Sequence, residues 1–377
     1  MVRARVRVVL AGAGHAHLQV LQRVSELRAA GVDPILVAPP TFHYSGLATA
    51  VLSGALPPSR ARLDIVAFAA RFGVPHIPAE VTEVDRTARR LRLSDGQDLG
   101  YDAVSFNVGS VTQVPRALGQ DEGTWPVKPL DHLVALKVRV EGLFREGGAS
   151  PALVVAGSGP TGFEVAAALA GLCERNGVRP DIRLLRRSPP EWAPPAALAR
   201  LTAALRARGV GMVDGEAVGR DAGACLLADG RALPCNLLVL ATGLKAPQVI
   251  AGLGLPLSDE GRLPVRATLQ SLEDPAVFAT GDSALVAGAP RPPAGVFGVR
   301  SGPVLARNLA GLGTGERMRA YTPQARWLSI LDLGDGRGLA LRGRFWSLGR
   351  GALALKRRLD LGFMDRLRAA SGEVLQD

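Results

Sequence analysis

Twice in this chain of 377 residues, a short run of β-branched and leucine residues ends in a glycine turn and passes into an apolar segment with helical spacing. The first instance is Val6–Ala11, then Gly12-Ala13-Gly14, then a segment carrying Leu18, Leu21 and Val24. The second is Leu153–Ala156, then Gly157-Ser158-Gly159-Pro160-Thr161-Gly162, then Phe163–Leu172. Apolar runs at Pro34–Ala38 and Asp181–Leu185 close each unit into a βαβ module of roughly 30 residues. Strands that return through a helix pair in parallel, and a parallel sheet needs helices on both faces. The expected class is therefore α/β.

In a G-x-G-x-x-G turn the first glycine makes the bend, the second lets a pyrophosphate approach the backbone, and the third lets helix and strand pack closely. The helix N-terminus then offers unpaired N–H groups to the phosphates. Gly157, Gly159 and Gly162 fill all three places, whereas the first copy has Gly12 and Gly14 but His17 at the third. These features predict two Rossmann-like dinucleotide-binding domains. Antiparallel strands are expected at Glu80–Val84, Arg90–Leu93 and Tyr101–Phe106, with turns at Asp95-Gly96 and Gly109-Ser110. A similar series, Cys225–Leu227, Asp229-Gly230 and Leu237–Leu240, leads into Ala241-Thr242-Gly243. Proline-rich 189–195 and 289–293 read as loops, and a strand at Ala276–Ala279 runs into Thr280-Gly281-Asp282 before a helix around Val299–Leu309.

Composition removes several classes. An apolar content of 47% excludes a disordered chain. The formal charge of +11 comes from arginines spread along the whole length, without a nucleic-acid-binding signature, so no nucleic-acid partner is expected. Cys173, Cys225 and Cys235 form no framework, which points to a reducing cytoplasm. His15 and His17 lack a third ligand in sequence, and no metal is expected. Ala152–Cys173 approaches bilayer-spanning length, but Ser158, Pro160, Thr161 and Glu164 interrupt it, so no transmembrane helix is expected. The apolar run after Arg3, Arg5 and Arg7 has the outline of a signal peptide, yet the glycine turn accounts for it better.

The order of first glycine turn, second glycine turn, Ala241-Thr242-Gly243 and Gly281-Asp282 resembles the two-dinucleotide-domain flavoproteins, the pyridine nucleotide-dependent flavin oxidoreductases. Gly12-Ala13-Gly14-His15-Ala16-His17-Leu18, His43-Tyr44-Ser45-Gly46, Tyr101-Asp102, Val127-Lys128-Pro129 and 291–300 are similar to the branch of type II NADH:quinone dehydrogenases and sulfide:quinone reductases. They are closer still to the flavoprotein domains fused to selenophosphate synthetases. The resemblance implies FAD at Gly12, Gly14, His15, Ala16, His17, Tyr44, Ser45, Gly109, Lys128, Thr242, Gly243, Gly281, Asp282, Gly295 and Val296. It implies that the Asp282 carboxylate accepts a hydrogen bond from the flavin ribityl chain. It places NADPH or NADH at Gly157, Gly159, Pro160, Thr161, Gly162, Arg186 and Arg187, and implicates Glu164 in proton movement. From the residues alone, Glu164 is equally a first-turn glutamate complementing the helix dipole.

Departures narrow the activity. No redox cysteine pair stands in 43–54, which argues against disulfide reduction. Val296 and Arg300 occupy the places of the quinone-motif glutamines of type II dehydrogenases. The first unit ends Val37-Ala38-Pro39 without a carboxylate for a ribose. The second ends Leu185-Arg186-Arg187-Ser188, where arginine suits a 2′-phosphate.

Leu355, Leu359, Phe363 and Leu367 repeat every four residues among Lys356, Arg357, Arg358, Arg366 and Arg368. Phe345 and Trp346 lie just upstream. Such a basic amphipathic helix suits an anionic membrane, a cover for the flavin domain or a homodimer contact. The expected organisation is an FAD domain from 1–112 and 242–320, an NAD(P)H domain at 113–241 and a C-terminal segment at 321–377. The expected activity is hydride transfer from NAD(P)H to FAD and onward delivery to a small-molecule acceptor, with a quinone as the leading candidate. Its setting is the cytoplasm, with contact at the inner face of the cell membrane. A sulfur- or selenium-linked flavoprotein and a non-turnover flavin sensor or partner subunit are the alternatives.

Overall fold

The computed structural model describes residues 5–118, 122–146, 150–221 and 223–372. The chain opens with β1 (Val6–Ala11), α1 (His15–Gln22) and β2 (Val32–Val37), the two strands running parallel with Val6 opposite Val32. Next come α2 (Ser45–Leu52), β3 (His76–Ile77) and β4 (Ala103–Phe106), which pairs with the other side of β1. The chain then builds a second sheet from β5 (Thr124–Pro126), α3 (Asp131–Glu146), β6 (Ala152–Ala156), α4 (Pro160–Arg175), β7 (Asp181–Arg186), α5 (Pro195–Arg206), β8 (Val210–Asp214) and β9 (Leu237–Leu240). It returns to the first sheet as β10 (Val277–Ala279) and continues into α6 (Gly295–Thr314). An antiparallel sheet of β11 (Ser329–Asp332), β12 (Gly338–Arg342) and β13 (Phe345–Gly349) precedes α7 (Arg350–Ser371).

The strand orders are β10-β4-β1-β2-β3 and β5-β9-β6-β7-β8, and both sheets are wholly parallel. Val8–Ala11, β4 and β9 are buried on every residue, as strands covered on both faces must be. This corrects the expectation for two segments. Ala103–Phe106 and Leu237–Leu240 are not the third members of antiparallel ribbons but central strands of the parallel sheets. Leu237–Leu240 is apolar throughout and Ala103–Phe106 at all but the buried Ser105, which fits strands with no solvent face. The ribbons are instead Val81–Asp85, Arg90–Leu93 and Asp98–Gly100, and Ala217–Asp221, Ala224–Leu227 and Ala232–Pro234. Val24 also leaves the first helix, which breaks at Arg23 before a separate short helix, Val24–Ala29. Pro195 is not loop but the first residue of α5, where its missing N–H costs nothing.

The two crossings between the sheets lie side by side. Val111–Thr112 pairs antiparallel with Leu244–Lys245, and the Thr242 hydroxyl donates to the Gln113 carbonyl at 2.5 Å.

The C-terminal helix corrects the expected amphipathic pattern. Phe363 and Leu367 pack inward with Met364, but Leu355 and Leu359 face out, 41% and 50% exposed. Two of the basic residues go inside instead. Lys356 pairs with Asp360 at 2.9 Å, and Arg368, 2% exposed, donates to the carbonyls of Ser59, Arg60 and Arg62. A four-residue repeat turns by 400° per step, so over three turns its first and last members no longer share a face. Among the described residues no helix is long and apolar enough to cross a membrane.

Candidate functional site

The first glycine turn closes on Asn107, the residue after β4. The Gly14 N–H donates to the Asn107 carbonyl at 3.1 Å, and a Cβ at Gly12 would lie 2.7 Å from that oxygen. Gly12 holds φ +86°, so the position demands glycine on both counts. The Asn107 carboxamide oxygen accepts from the N–H groups of Ala16 and His17, and its amide donates to the Thr280 carbonyl at 3.1 Å. One buried side chain thus supplies the cap that Gly14 cannot and ties α1 to the turn at Gly281.

His17 takes the place of the third glycine by bonding through both ring nitrogens. Nδ1 lies 2.6 Å from the Gly12 carbonyl, which only accepts, so Nδ1 carries the proton and Nε2 accepts from the Ser105 hydroxyl at 2.8 Å. Complete burial lowers its pKa to about 4, despite the Gly12 hydrogen bond. The ring is a neutral strut.

The second corner of the site is the Gly281-Asp282 turn. Asp282 accepts from the Ser110 hydroxyl at 2.7 Å and from the Lys128 ammonium at 3.0 Å, and Lys128 also donates to Ser110 at 2.7 Å. Burial alone raises the Asp282 carboxyl. The Lys128 charge, the two hydrogen bonds and His15 outweigh it and leave the pKa below the usual value. His15 stands between this pair and a ring of Phe42, Tyr44 and Phe363, with centroids 5.5, 5.5 and 5.6 Å away. Burial lowers the His15 pKa to about 4, with smaller and opposed effects from Asp282, Lys128 and Asp360. Gly295, at the uncapped start of α6, packs against the His15 ring, and a Cβ there would be 3.5 Å from Cε1 and 4.0 Å from the Ser45 hydroxyl. Val296, half-buried, is the next residue of that first turn.

At the second glycine turn, Gly157 holds φ +114° with the Ala241 carbonyl against it, and a Cβ at Gly162 would collide with the Gly157 carbonyl. Gly159 meets nothing within 4 Å, so its surface is open. It is the N-cap of α4 and has no side chain to cap with, while Pro160 and Thr161 are exposed in the first turn. Trp192 donates to the Ser158 carbonyl at 2.9 Å and packs edge-on against Phe163, folding the loop after β7 over the turn. The two arginines there differ. Arg186 is held by both carboxylate oxygens of Asp214, whereas the Arg187 side chain is 76% exposed and reaches Glu216 only at 3.6 Å.

Glu164 points toward the C-terminal sheet. Its carboxylate accepts from the Thr49 hydroxyl at 3.0 Å and the Asp332 N–H at 2.8 Å. Burial raises its pKa, against the nearby Lys356 charge and those two donors. Lys356 is part of a second polar chain, in which the Tyr44 hydroxyl donates to Asp360 at 2.8 Å and Lys356 donates to the other Asp360 oxygen. Asp332 in turn accepts from Arg357 at 2.7 Å. Sequence reasoning missed Asn107, Ser110, Thr49, Asp332 and Asp360. Only Asn107 carried a signal, a polar residue ending an apolar strand.

Gly109, at φ +73°, accepts from Ser283 at 3.0 Å, and Gly243, at φ +115°, lies at the crossing. The structure therefore gathers His15, Ser45, Tyr44, Lys128, Asp282 and Gly295 at one place. It sets Gly157, Gly159, Gly162, Arg186 and Arg187 at a second.

These residues fit FAD and a nicotinamide dinucleotide. The uncapped start of α4 with its open Gly159, and the close-packed Gly12 and Gly14 turn, meet the needs of diphosphates, and Asp282 offers a buried carboxylate acceptor. Similarity to known proteins agrees. An NADH dehydrogenase-like protein of Mycobacterium tuberculosis is 30% identical over 296 residues, 74% of this chain and 72% of that one. The demethylphylloquinone reductase NdbB of Synechocystis is 26% identical over 307 residues, 75% and 73% of the two chains. In fold, the sulfide:quinone oxidoreductase of Aquifex aeolicus superposes with a TM-score of 0.80 at 16% identity, covering 97% of this chain and 92% of that one. NDH2 of Plasmodium falciparum gives 0.80 at 13% identity, covering 97% and 98%. Residues 6–308 match the pyridine nucleotide-disulphide oxidoreductases, and the chain belongs to that family as an FAD-dependent oxidoreductase of NAD(P)H.

Proposed function

We propose that this protein oxidises NADPH at bound FAD and delivers the electrons to a quinone. The observation that carries the donor assignment is Arg187, a largely exposed cation at the end of the second strand of the Gly157 unit, where the strand end itself reads Arg186-Arg187-Ser188 and carries no acidic residue for a ribose 2′-hydroxyl. The acceptor assignment draws on the quinone named in the NdbB relative, and on the quinones of the structurally similar sulfide:quinone oxidoreductase.

When bound, the flavin supplies two-electron chemistry, and the protein supplies placement and electrostatics. In this reading Gly12, Gly14 and the start of α1 hold the flavin diphosphate, with Asn107 fixing the turn. Asp282 accepts from the ribityl chain, and Lys128 keeps that carboxylate ionised. The uncapped start of α6, at Gly295 and Val296, would offer partial positive charge to the flavin ring. Gly157–Gly162 hold the NADPH diphosphate, and Arg187 meets its 2′-phosphate. Thr49 and the Asp332 N–H hold the Glu164 carboxyl in place, and burial raises its pKa above the usual glutamate value. The domains assigned are 1–112 with 242–320 for FAD and 113–241 for NADPH, divided at the paired crossings.

The exposed residues Phe345, Trp346, Leu355 and Leu359 lie near Arg344, Arg350 and Arg358 and suit an anionic bilayer surface. Steady-state kinetics with both donors tests the central reading. NADPH is expected to have the higher kcat/KM, and Arg187→Ala is expected to remove at least most of that preference. A protein that prefers NADH equally before and after the substitution refutes the donor assignment.

A further inference from the structure

Arg262 stands just before the strand Leu263–Val265, which pairs parallel with Ala284–Val286, Leu263 opposite Ala284. Its backbone is fixed by the preceding turn, where the Arg262 N–H donates to the Ser258 hydroxyl at 3.2 Å. The side chain is 7% exposed and sends each of its three nitrogens to a different carbonyl. Nε donates to Asp282 at 3.2 Å, one terminal nitrogen to Arg291 at 2.7 Å and the other to Ala284. Glu260 reaches the guanidinium at 3.4 Å but is itself 56% exposed. We propose that Arg262 is a positioning residue for the flavin site. It fixes the Asp282 turn against the segment that leads into α6, and so sets where the Asp282 carboxylate stands relative to Gly295. The proposal rests on the reading that Asp282 accepts from the ribityl chain of FAD.

Three observations support it. A buried guanidinium loses hydration that its partners only partly replace, and an apolar side chain of similar volume often stabilises an interior as well or better. What an apolar side chain cannot do is hold three carbonyls in one rigid planar fork. The carbonyls, moreover, belong to the two segments that meet at the site. Asp282 and Ala284 flank Ser283, whose hydroxyl donates to the Gly109 carbonyl, and Arg291 lies in the loop just before Gly295, its own guanidinium donating to the carbonyls of Pro290 and Gln324. Finally, close packing does not hold the turn beside Arg262. A cavity of about 30 Å³, room for about one water, lies among Arg262, Thr280, Gly281, Ala289 and Tyr321. Hydrogen bonds therefore take over the work of packing: Asn107 grips the Thr280 carbonyl, and Arg262 grips the next part of the turn.

The Asp282 carboxylate itself is held by Ser110 and Lys128, and Arg262 reaches only the main chain of that residue. Its influence on the cofactor is thus indirect, exerted through Asp282 and the start of α6, and it depends on the shape of the fork as well as on the charge.

The test measures the FAD dissociation constant from the flavin fluorescence that appears on dilution of the holoprotein, with the urea midpoint as folding control. Arg262→Lys keeps the charge and gives up the fork. It is expected to weaken FAD binding about tenfold or more, the loss of well-aligned charged hydrogen bonds. Arg262→Gln, which drops the charge as well, is a second variant expected to lose as much. Each is then combined with Asp282→Asn. Because Arg262 acts through Asp282, the double variants are expected to lose less than the product of the two separate losses, whereas a general loosening of the fold gives that product. Unchanged FAD binding in Arg262→Lys, or losses that multiply fully, overturns the proposal. Binding kept by Lys and lost with Gln also overturns it, since charge alone would then suffice. Full FAD retention in Asp282→Asn would instead refute the reading of Asp282, and a tenfold loss in Arg262→Lys beside it would uphold positioning through α6.

Discussion

His17 is read as a neutral strut that replaces a glycine, and that reading makes a quantitative pH prediction. The folded pKa of about 4 lies below the unfolded value of 6.5, so on acidification the unfolded chain takes up the proton first. The stability associated with this group is therefore whole above pH 6.5 and is lost as pH falls through 6.5 toward 4. The full effect is about 3 kcal/mol, of which about 2 kcal/mol has gone by pH 5. Replacing His17 with Gln removes the titration while keeping a polar side chain. At pH 7 the variant should be less stable by about 1–3 kcal/mol, because Gly12 and Ser105 lose well-placed partners. At pH 5 the gap between the two proteins should narrow by about 2 kcal/mol, since only the unmodified protein bears the protonation cost. Urea unfolding of both proteins at the two pH values measures this, and carboxylates common to both cancel in the difference. A gap that does not change with pH refutes the strut.

Three further perturbations test other parts of the account. Asp282→Asn removes the partner of Lys128 and should weaken FAD binding at least tenfold, about 1.4 kcal/mol, read by fluorescence of released flavin; full FAD retention contradicts the role given to Asp282. Arg368→Met strips a buried guanidinium from three carbonyls and should cost about 3 kcal/mol in urea unfolding, whereas an unchanged midpoint would show that α7 is held by its apolar face alone. Combined Phe345→Ser, Leu355→Ser and Leu359→Ser should reduce co-sedimentation with anionic vesicles, and equal pelleting with the unmodified protein rules out that surface as the contact.

What the sequence made legible was the local part of the fold. Strand, glycine turn and helix lie within about 20 residues of one another, so Val6–Leu21 and Leu153–Leu172 read directly. The first glycine of each turn was legible because the positive φ it must adopt, as at Gly12 and Gly157, is set by the local turn. Ala103–Phe106 and Leu237–Leu240 misled because a four-residue run, apolar throughout or at all but Ser105, shows no period that separates an edge ribbon from a central strand, and only long-range pairing decides it. Asn107 bonds residues 91 and 173 positions away, and Tyr44 reaches Asp360 across 316. No local pattern announces such partners. The burial of Lys356 and Arg368 likewise depended on Asp360 and three backbone carbonyls that periodicity does not see.

The most direct measurement is an anaerobic stopped-flow record of the flavin absorbance of the full-length holoprotein, mixed with NADPH and then with a short-chain quinone. The account predicts that the absorbance bleaches with NADPH, faster than with NADH, and returns when quinone is added. Flavin that stays oxidised in the presence of either nucleotide would contradict it.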